Sequence, residues 1–287
     1  MSFDPAVLLS LPPLITRQSY SAKDVILYAF GVGVGQDDAT DPDALAFLYE
    51  KALSVLPTMA IVIAAPPFWL DAPELEIDWR RVLNAGQELV LHRPLPVEAN
   101  MSTELRIDAI WDKGADKGAL MQSSRTLRDD AGIHYATIHQ THILRGNGGF
   151  GGKDMPKADA KGIPDRAPDA VVDLTTRQEQ ALIYRLCGDL NPLHIEPDVA
   201  TAAGFPKPIL HGSCTFGIVG RAVLQAAAGN QPDRLGSFGA RFSRPVLPSD
   251  TIRSEIWMEG ADDVRFRAKA LERDVVVLDA GTARIVT

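Results

Sequence analysis

Cysteine is scarce, with only Cys187 and Cys214 in a chain of 287 residues. Two thiols cannot supply a disulfide framework, which fits a reducing, cytoplasmic setting. Long apolar runs are missing too. No stretch approaches the ~18–20 consecutive apolar residues that a membrane-crossing helix requires, so no membrane partner is expected. The Met1–Pro12 start lacks a basic leader, an apolar core and a small-residue cleavage site, so secretion is not expected either. Positive charge is in deficit: 29 bases against 37 acids give a net charge of −8 and a pI near 5.3. That balance argues against a nucleic-acid partner, because such binding starts from a basic face. It leaves room for one small basic pocket for an anionic ligand. What the chain has is a globular composition, 46% hydrophobic and 23% charged, which excludes disorder. Its length suits two domains of roughly 100–150 residues each.

The strongest punctuation is Gly146-Asn147-Gly148-Gly149-Phe150-Gly151-Gly152, followed by a stretch rich in Lys, Asp, Ala and Pro up to Pro168. Glycine at this density breaks helices and strands. The expected organisation is therefore a domain over 1–145, a linker over 146–168 and a domain over 169–287. The linker is no phosphate loop, because Gly152-Lys153 is followed by Asp154 and no strand-loop-helix order surrounds it. Gly31-Val32-Gly33-Val34-Gly35 ends an apolar helical pattern instead of following a strand, so it is no dinucleotide fingerprint.

The halves repeat one another. Val25–Phe30 reads like Ala181–Leu186, with Tyr28 and Tyr184 at matching places. Arg93-Pro94-Leu95-Pro96 parallels Arg244-Pro245-Val246-Leu247-Pro248, and the following strands close on Trp111-Asp112-Lys113-Gly114 and Trp257-Met258-Glu259-Gly260. Duplication of a whole domain explains a long repeat that occurs once. The second half predicts a strand near Val171–Leu174 and a helix near Gln178–Leu186. A longer helix, apolar nearly all round, follows from His211 to Ala228. Strands near 235–244, 251–260, 263–272 and 274–286 complete it. One buried helix wrapped by an antiparallel sheet is an α+β arrangement.

The segment that carries chemistry is Tyr184-Arg185-Leu186-Cys187-Gly188-Asp189-Leu190-Asn191-Pro192-Leu193-His194. Gly188 suits the left-handed residue that closes a helix. Asn191-Pro192 marks a turn, since the residue before proline is pushed out of the helical region. Asp189 and His194 then leave a helix end and a tight turn, where a carboxylate and an imidazole can share one water as an acid/base pair. Both dipeptides are also ordinary turn formers. The second segment, Phe205–Ser213, leads into the apolar helix. The free amides of a helix start form an electropositive donor site, and Gly212 would let a ligand oxygen approach them.

These segments together resemble the hydratase 2 motif of the MaoC-like (R)-specific enoyl-CoA hydratases. The likeness runs nearly end to end with the hydratase 2 part of eukaryotic peroxisomal multifunctional enzymes of type 2, including Gly-Gly-Phe-Gly-Gly-Lys and Arg241-Phe242…Pro245-Val246. The resemblance implies a double hot-dog protomer whose C-terminal half carries the reaction. It implies Asp189 and His194 as the catalytic pair, Asn191 in support of their geometry, the Gly212 amide as the thioester oxyanion donor, and Glu50 as a supporting residue. Asp189 is read as the base on water, and His194 as the group that orients it and exchanges the second proton. The substrate is then an acyl-CoA thioester, with no metal and no cofactor apart from the substrate's own CoA. A homodimer working in fatty acid metabolism or β-oxidation is expected by the same resemblance. Arg241, Lys207 and His211 are candidate substrate-binding residues.

The repeat tests this assignment. With Tyr28 on Tyr184, Asp189 falls on Gly33 and His194 on Asp38, so the first half should be catalytically silent. Pro57 and Pro66-Pro67 bracket a shorter apolar stretch there, and a shortened central helix would leave room for a long or bulky acyl chain. His134, His139 and His142 lie on one expected strand, where His139 faces away from the other two, so they make no metal site. Cys187 and Cys214 read as small hydrophobes. A hot-dog thioesterase acting on the same acyl-CoA, or a non-catalytic acyl-CoA-binding protein, are the competing readings.

Overall fold

The computed structural model describes residues 3–152 and 162–286; the middle of the expected linker lies outside them. Ten strands form one antiparallel sheet: β1 (Leu14–Tyr20), β2 (Val82–Leu91), β3 (Ala99–Asp112), β4 (Ala119–Asp129), β5 (His134–Leu144), β6 (Ala170–Thr175), β7 (Leu235–Phe242), β8 (Thr251–Glu259), β9 (Asp263–Ala270) and β10 (Val275–Ile285). Their order is β1-β3-β4-β5-β2-β7-β10-β9-β8-β6, the same five-strand path taken twice and joined at β2 and β7. The registers make the repeat quantitative. Leu14 faces Leu105 as Ala170 faces Ile256, and Arg125 faces Leu105 as Phe266 faces Ile256. The offset between the halves falls from 156 at the first strand to 151 at the third and 141 at the fourth, so the second half runs the same course in 15 fewer residues. At the seam Glu88 pairs with Gly239, its own counterpart at an offset of 151, so the halves meet about a pseudo-two-fold axis. The pattern is a double hot-dog.

Alternation places the core. Inward-facing Ala119, Met121, Ser123, Arg125 and Leu127 of β4 are buried, as are Val264, Phe266, Ala268 and Ala270 of β9. Among the described residues, six α-helices accompany the sheet: α1 (Pro5–Leu9), α2 (Ala22–Gly31), α3 (Pro42–Leu45), α4 (Gln180–Tyr184), α5 (Pro197–Ala202) and α6 (Gly212–Ala228). The 17-residue α6 is the long apolar helix expected from the sequence, and eleven of its residues are buried. Two glycines let the first half press against it. A Cβ at Gly217 would lie 2.6 Å from Val32 Cγ1, and one at Gly220 would lie 2.7 Å from Thr58 Cγ2. Thr58 belongs to the five-residue 3-10 turn Pro57–Ile61, wholly buried, which is all the first half has in place of a long central helix.

The described start of the glycine-rich linker is held by hydrogen bonds to the first half. Asp112 accepts hydrogen bonds from the amides of Gly149 (2.8 Å) and Gly151 (2.5 Å). The Asn147 side chain accepts from the Asp78 amide and donates to the Glu76 carbonyl. Up to Gly151 this segment is folded onto the first half. No helix among the described residues is long and apolar enough to cross a membrane.

Candidate active site

The reactive segment begins where α4 tightens into a 3-10 turn over Arg185–Cys187 and Gly188 takes φ +122°, a backbone region that glycine tolerates. Asp189 follows, half-buried; its Oδ1 accepts from the Asn191 amide at 3.3 Å. Asn191 caps the next turn: its Oδ1 accepts from the Leu193 amide at 3.0 Å, and Pro192 begins the 3-10 turn Pro192–His194. This cap fixes the turn that carries His194.

His194 is 8% exposed, and its Nδ1 lies 2.9 Å from the carbonyl of Ile209. A carbonyl only accepts, so Nδ1 bears the proton and Nε2 keeps its lone pair. Burial pulls the His194 pKa below the ordinary imidazole value, against the opposing pull of Asp189. The ring is therefore a neutral base at neutral pH. Ile209 is held in turn by its neighbour Leu210, whose amide donates to the Val246 carbonyl at 2.8 Å. That bond ties the approach to α6 to the loop after β7.

His211 follows, fully buried. Its ring stacks on His194 at 3.8 Å between centroids and lies 5.1 Å from the Tyr184 ring. Its Nε2 donates to the main-chain carbonyl of Asp189 at 3.1 Å. Burial and the neighbouring His194 both push its pKa down. Gly212 opens α6 with its backbone exposed. The first intrahelical bond, from Thr215 to the His211 carbonyl, leaves the first-turn amides for a ligand by helix geometry. Phe242 walls this side: a Cβ at Gly212 would lie 3.3 Å from its ring.

One ligand atom each from Asp189, His194 and His211 lies within 4.8 Å of the others, a spacing suited to a bound water or a cation. Imidazole lone pairs lie in the ring plane. One nitrogen of each ring already bonds a main-chain carbonyl, His194 Nδ1 that of Ile209 and His211 Nε2 that of Asp189, which leaves one nitrogen per ring for any further partner. The arrangement suits proton transfer: a neutral base, a carboxylate and a helix start.

The structure thus brings Asp189, Asn191, His194 and Gly212 together. His211 joins them as a fully buried ring. Glu50 begins an exposed 3-10 turn, Glu50–Ala52, in the first half, and no described contact joins it to the cluster. Arg241 is exposed and paired with Asp279 at 3.3 Å, while Lys207 donates to the Pro248 carbonyl at 3.1 Å. Neither touches the pair. The Ile209 carbonyl escaped sequence reading, because a main-chain acceptor leaves no mark on residue type. Both thiols are inert: burial pushes Cys187 up to about 12 and raises Cys214 as well.

Two family models together match most of the chain. Residues 159–280 match the MaoC like domain, and residues 18–146 match the MFE-2 hydratase 2 N-terminal domain. The chain is 40% identical over 277 residues to 3-hydroxyacyl-thioester dehydratase Y of Mycobacterium tuberculosis, covering 93% of each chain. It is 35% identical over 279 residues to the peroxisomal enoyl-CoA hydratase 2 of Arabidopsis thaliana, covering 92% of this chain and 89% of the relative. The crystal structure of a MaoC-like dehydratase from Phytophthora capsici superposes with a TM-score of 0.87 at 30% identity, covering 99% of both chains.

Proposed function

The chain belongs to the MaoC-like hydratase 2 family, and on that premise we propose that it adds water reversibly to trans-2-enoyl-CoA, giving (3R)-3-hydroxyacyl-CoA. The observation that carries this reading is the pairing of Asp189 with His194 beside the Gly212 helix start. Hydration needs a base on water, a proton for C2, and stabilisation of the enolate-like thioester oxygen that develops between the two events. The α6 N-terminus supplies the last, through the Gly212 amide and the helix dipole. Losing an oxyanion donor of this kind typically costs ~2.7–4 kcal/mol.

The His194 tautomer favours the reverse of the division expected from the sequence, with His194 as the base on water and Asp189 as the group that orients it. With Nδ1–H held by Ile209, Nε2 takes one proton from the water as its oxygen attacks C3. The imidazolium so formed, beside the Asp189 carboxylate, returns that proton to C2. Asp189 orients the water by accepting its other hydrogen, which stays on the new 3-hydroxyl. Atoms balance without redox chemistry, so no cofactor enters the proposal. A homodimer in a cytoplasmic setting, serving fatty acid metabolism, completes the reading.

Trans-2-enoyl-CoAs of several chain lengths test it, through loss of enoyl absorbance and chiral analysis of the product. The expected product is (3R)-hydroxyacyl-CoA. Release of free CoA without hydroxyacyl-CoA would establish the thioesterase alternative instead.

A further inference from the structure

We propose that His211 is a positioning residue of this reaction, whose Nε2–H, donated to the main-chain carbonyl of Asp189, fixes Asp189 against His194. The inference rests on the hydratase reading and deepens it. His211 is 0% exposed and so cannot touch the substrate. Its bond of 3.1 Å is, among the described residues, the only hydrogen bond to the Asp189 carbonyl. That carbonyl needs a tie, because Asp189 lies in irregular backbone between Gly188, at φ +122°, and Leu190, which is 62% exposed. No helix or strand fixes the residue, and a carboxylate displaced by about 1 Å can cost 100-fold in rate.

The ring is locked to do this. Tyr184 lies at 5.1 Å and His194 at 3.8 Å, and His211 is the N-cap residue of α6. One ring thus joins three parts of the site: the Asp189 turn through Nε2, the His194 ring by stacking, and the oxyanion helix through the backbone. Because the Asp189 carbonyl accepts, the neutral tautomer must carry its proton on Nε2, which leaves Nδ1 bare; Nδ1 is buried without a partner. A positive charge on His211 would sit against the ring of His194, and burial disfavours it. The groups that face it are Tyr184, Arg185, Asp189 and His194; only Asp189 would favour the cation.

Side-chain geometry gives a discriminating test. The amide nitrogen of glutamine reaches the position of histidine Nε2, whereas that of asparagine reaches only Nδ1. On folded enzyme, His211→Asn and His211→Phe should lower kcat by about 10- to 100-fold, up to the cost of misplacing a reacting group by ~1 Å. KM should stay within about threefold. His211→Gln, which restores the donor, should recover to within about fivefold of wild type. Should the Phe variant fail to fold, the Asn and Gln variants decide alone. Folded Asn and Phe variants with wild-type kcat would overturn the proposal, as would a Gln variant no better than Asn. Imidazole nitrogen NMR of the wild type provides a readout independent of turnover: His211 should show the Nε2–H tautomer with slow solvent exchange. An Nδ1–H tautomer overturns the positioning role. Wild-type enzyme inert towards every enoyl-CoA overturns the hydratase reading, while the NMR result still decides the hydrogen bond.

Discussion

In the second half a 17-residue helix fills the concave face of the sheet, whereas the five-residue turn Pro57–Ile61 serves in the first. The strands have adapted to the difference. Phe266 of β9 stacks on Phe238 of β7 at 4.8 Å, and Phe238 meets Phe216 of α6 at 4.5 Å, forming an aromatic ladder against the helix. The registers place Arg125 and Gln87 at the first-half positions of Phe266 and Phe238. Both are buried, and Arg125 donates to the Ile61 carbonyl at 2.5 Å. Beside it Thr103 donates to the Ala64 carbonyl at 2.6 Å. A long helix satisfies its own backbone. An irregular buried segment cannot, and buried carbonyls need partners, so the strands around it supply polar side chains. Losing the helix and acquiring a polar interior are one structural change.

The largest expected effect separates the halves chemically. Asp189→Asn and His194→Gln should each reduce turnover by about 100-fold or more, the range for a lost acid or base, with the fold intact by circular dichroism. In the first half, Asp38 accepts from the amide and hydroxyl of Thr40 in an exposed turn, and Asp38→Asn should leave turnover unchanged. Steady-state kinetics on the three variants checks the contrast. Loss of activity in the Asp38 variant would mean that the first half takes part in the chemistry.

Exchanging the interior residues should be asymmetric. Phe266→Arg would bury an unpaired cation against α6 and should cost about 4 kcal/mol or more. Arg125→Phe removes a guanidinium that burial already pulls down to about 10, but it orphans the Ile61 carbonyl. Its cost should be about 1–3 kcal/mol, partly offset by the apolar area gained. Denaturant melts of both variants measure the difference, and equal losses would mean that the two interiors are interchangeable.

Protonation touches both halves. Burial holds His142 in β5 down at about 4, and His194 and His211 also lie below the ordinary value of 6.5. A depressed folded pKa means that the unfolded chain binds more protons, so this stability is complete above pH 6.5 and declines as the pH falls towards the folded values. His142→Gln should flatten that decline without moving the acid limb of kcat/KM. The limb belongs to His194: activity needs the neutral ring, so it should persist below pH 6.5 and disappear only as the depressed pKa is crossed. Thermal melts and pH–rate profiles on the same variant separate the two. An acid limb that moves with His142→Gln would join what the comparison keeps apart.

Local chemistry determined what was legible in advance. Gly188 and Asn191-Pro192 announce a helix end and a turn, which is enough to place Asp189 near His194, and the all-round apolar pattern announces α6. The repeat is legible at the tyrosines and the Arg-Pro segments, because Tyr28 and Tyr184 lie in the matching helices α2 and α4 and the Arg-Pro segments follow the matching strands β2 and β7. The carbonyl of Ile209, the stacking of His211 on His194 and the exchange of phenylalanine for arginine across the repeat were not legible. Each depends on which chain segments meet in space. Arg241 and Lys207 illustrate the same limit from the other side: residue type suits a phosphate, but the partners they have in the fold are Asp279 and the Pro248 carbonyl.

The smallest expected effect concerns the seam. Arg241 lies on β7 opposite Gly86 of β2, 65% exposed at its side chain and paired with Asp279. Asp279 is also held by Arg267 at 3.0 Å, so Arg241→Ala leaves no orphaned charge. An exposed ion pair contributes at most about 1 kcal/mol, and the melting temperature should barely move. KM for an enoyl-CoA should rise less than about threefold, because the Arg241 charge is already shared with a carboxylate and screened by water. A tenfold rise that disappears at high salt would show that the CoA phosphates cross the pseudo-two-fold seam. The first half would then contribute to binding the nucleotide end of the substrate, and the division between a reacting half and an accommodating half would have to be redrawn along the seam.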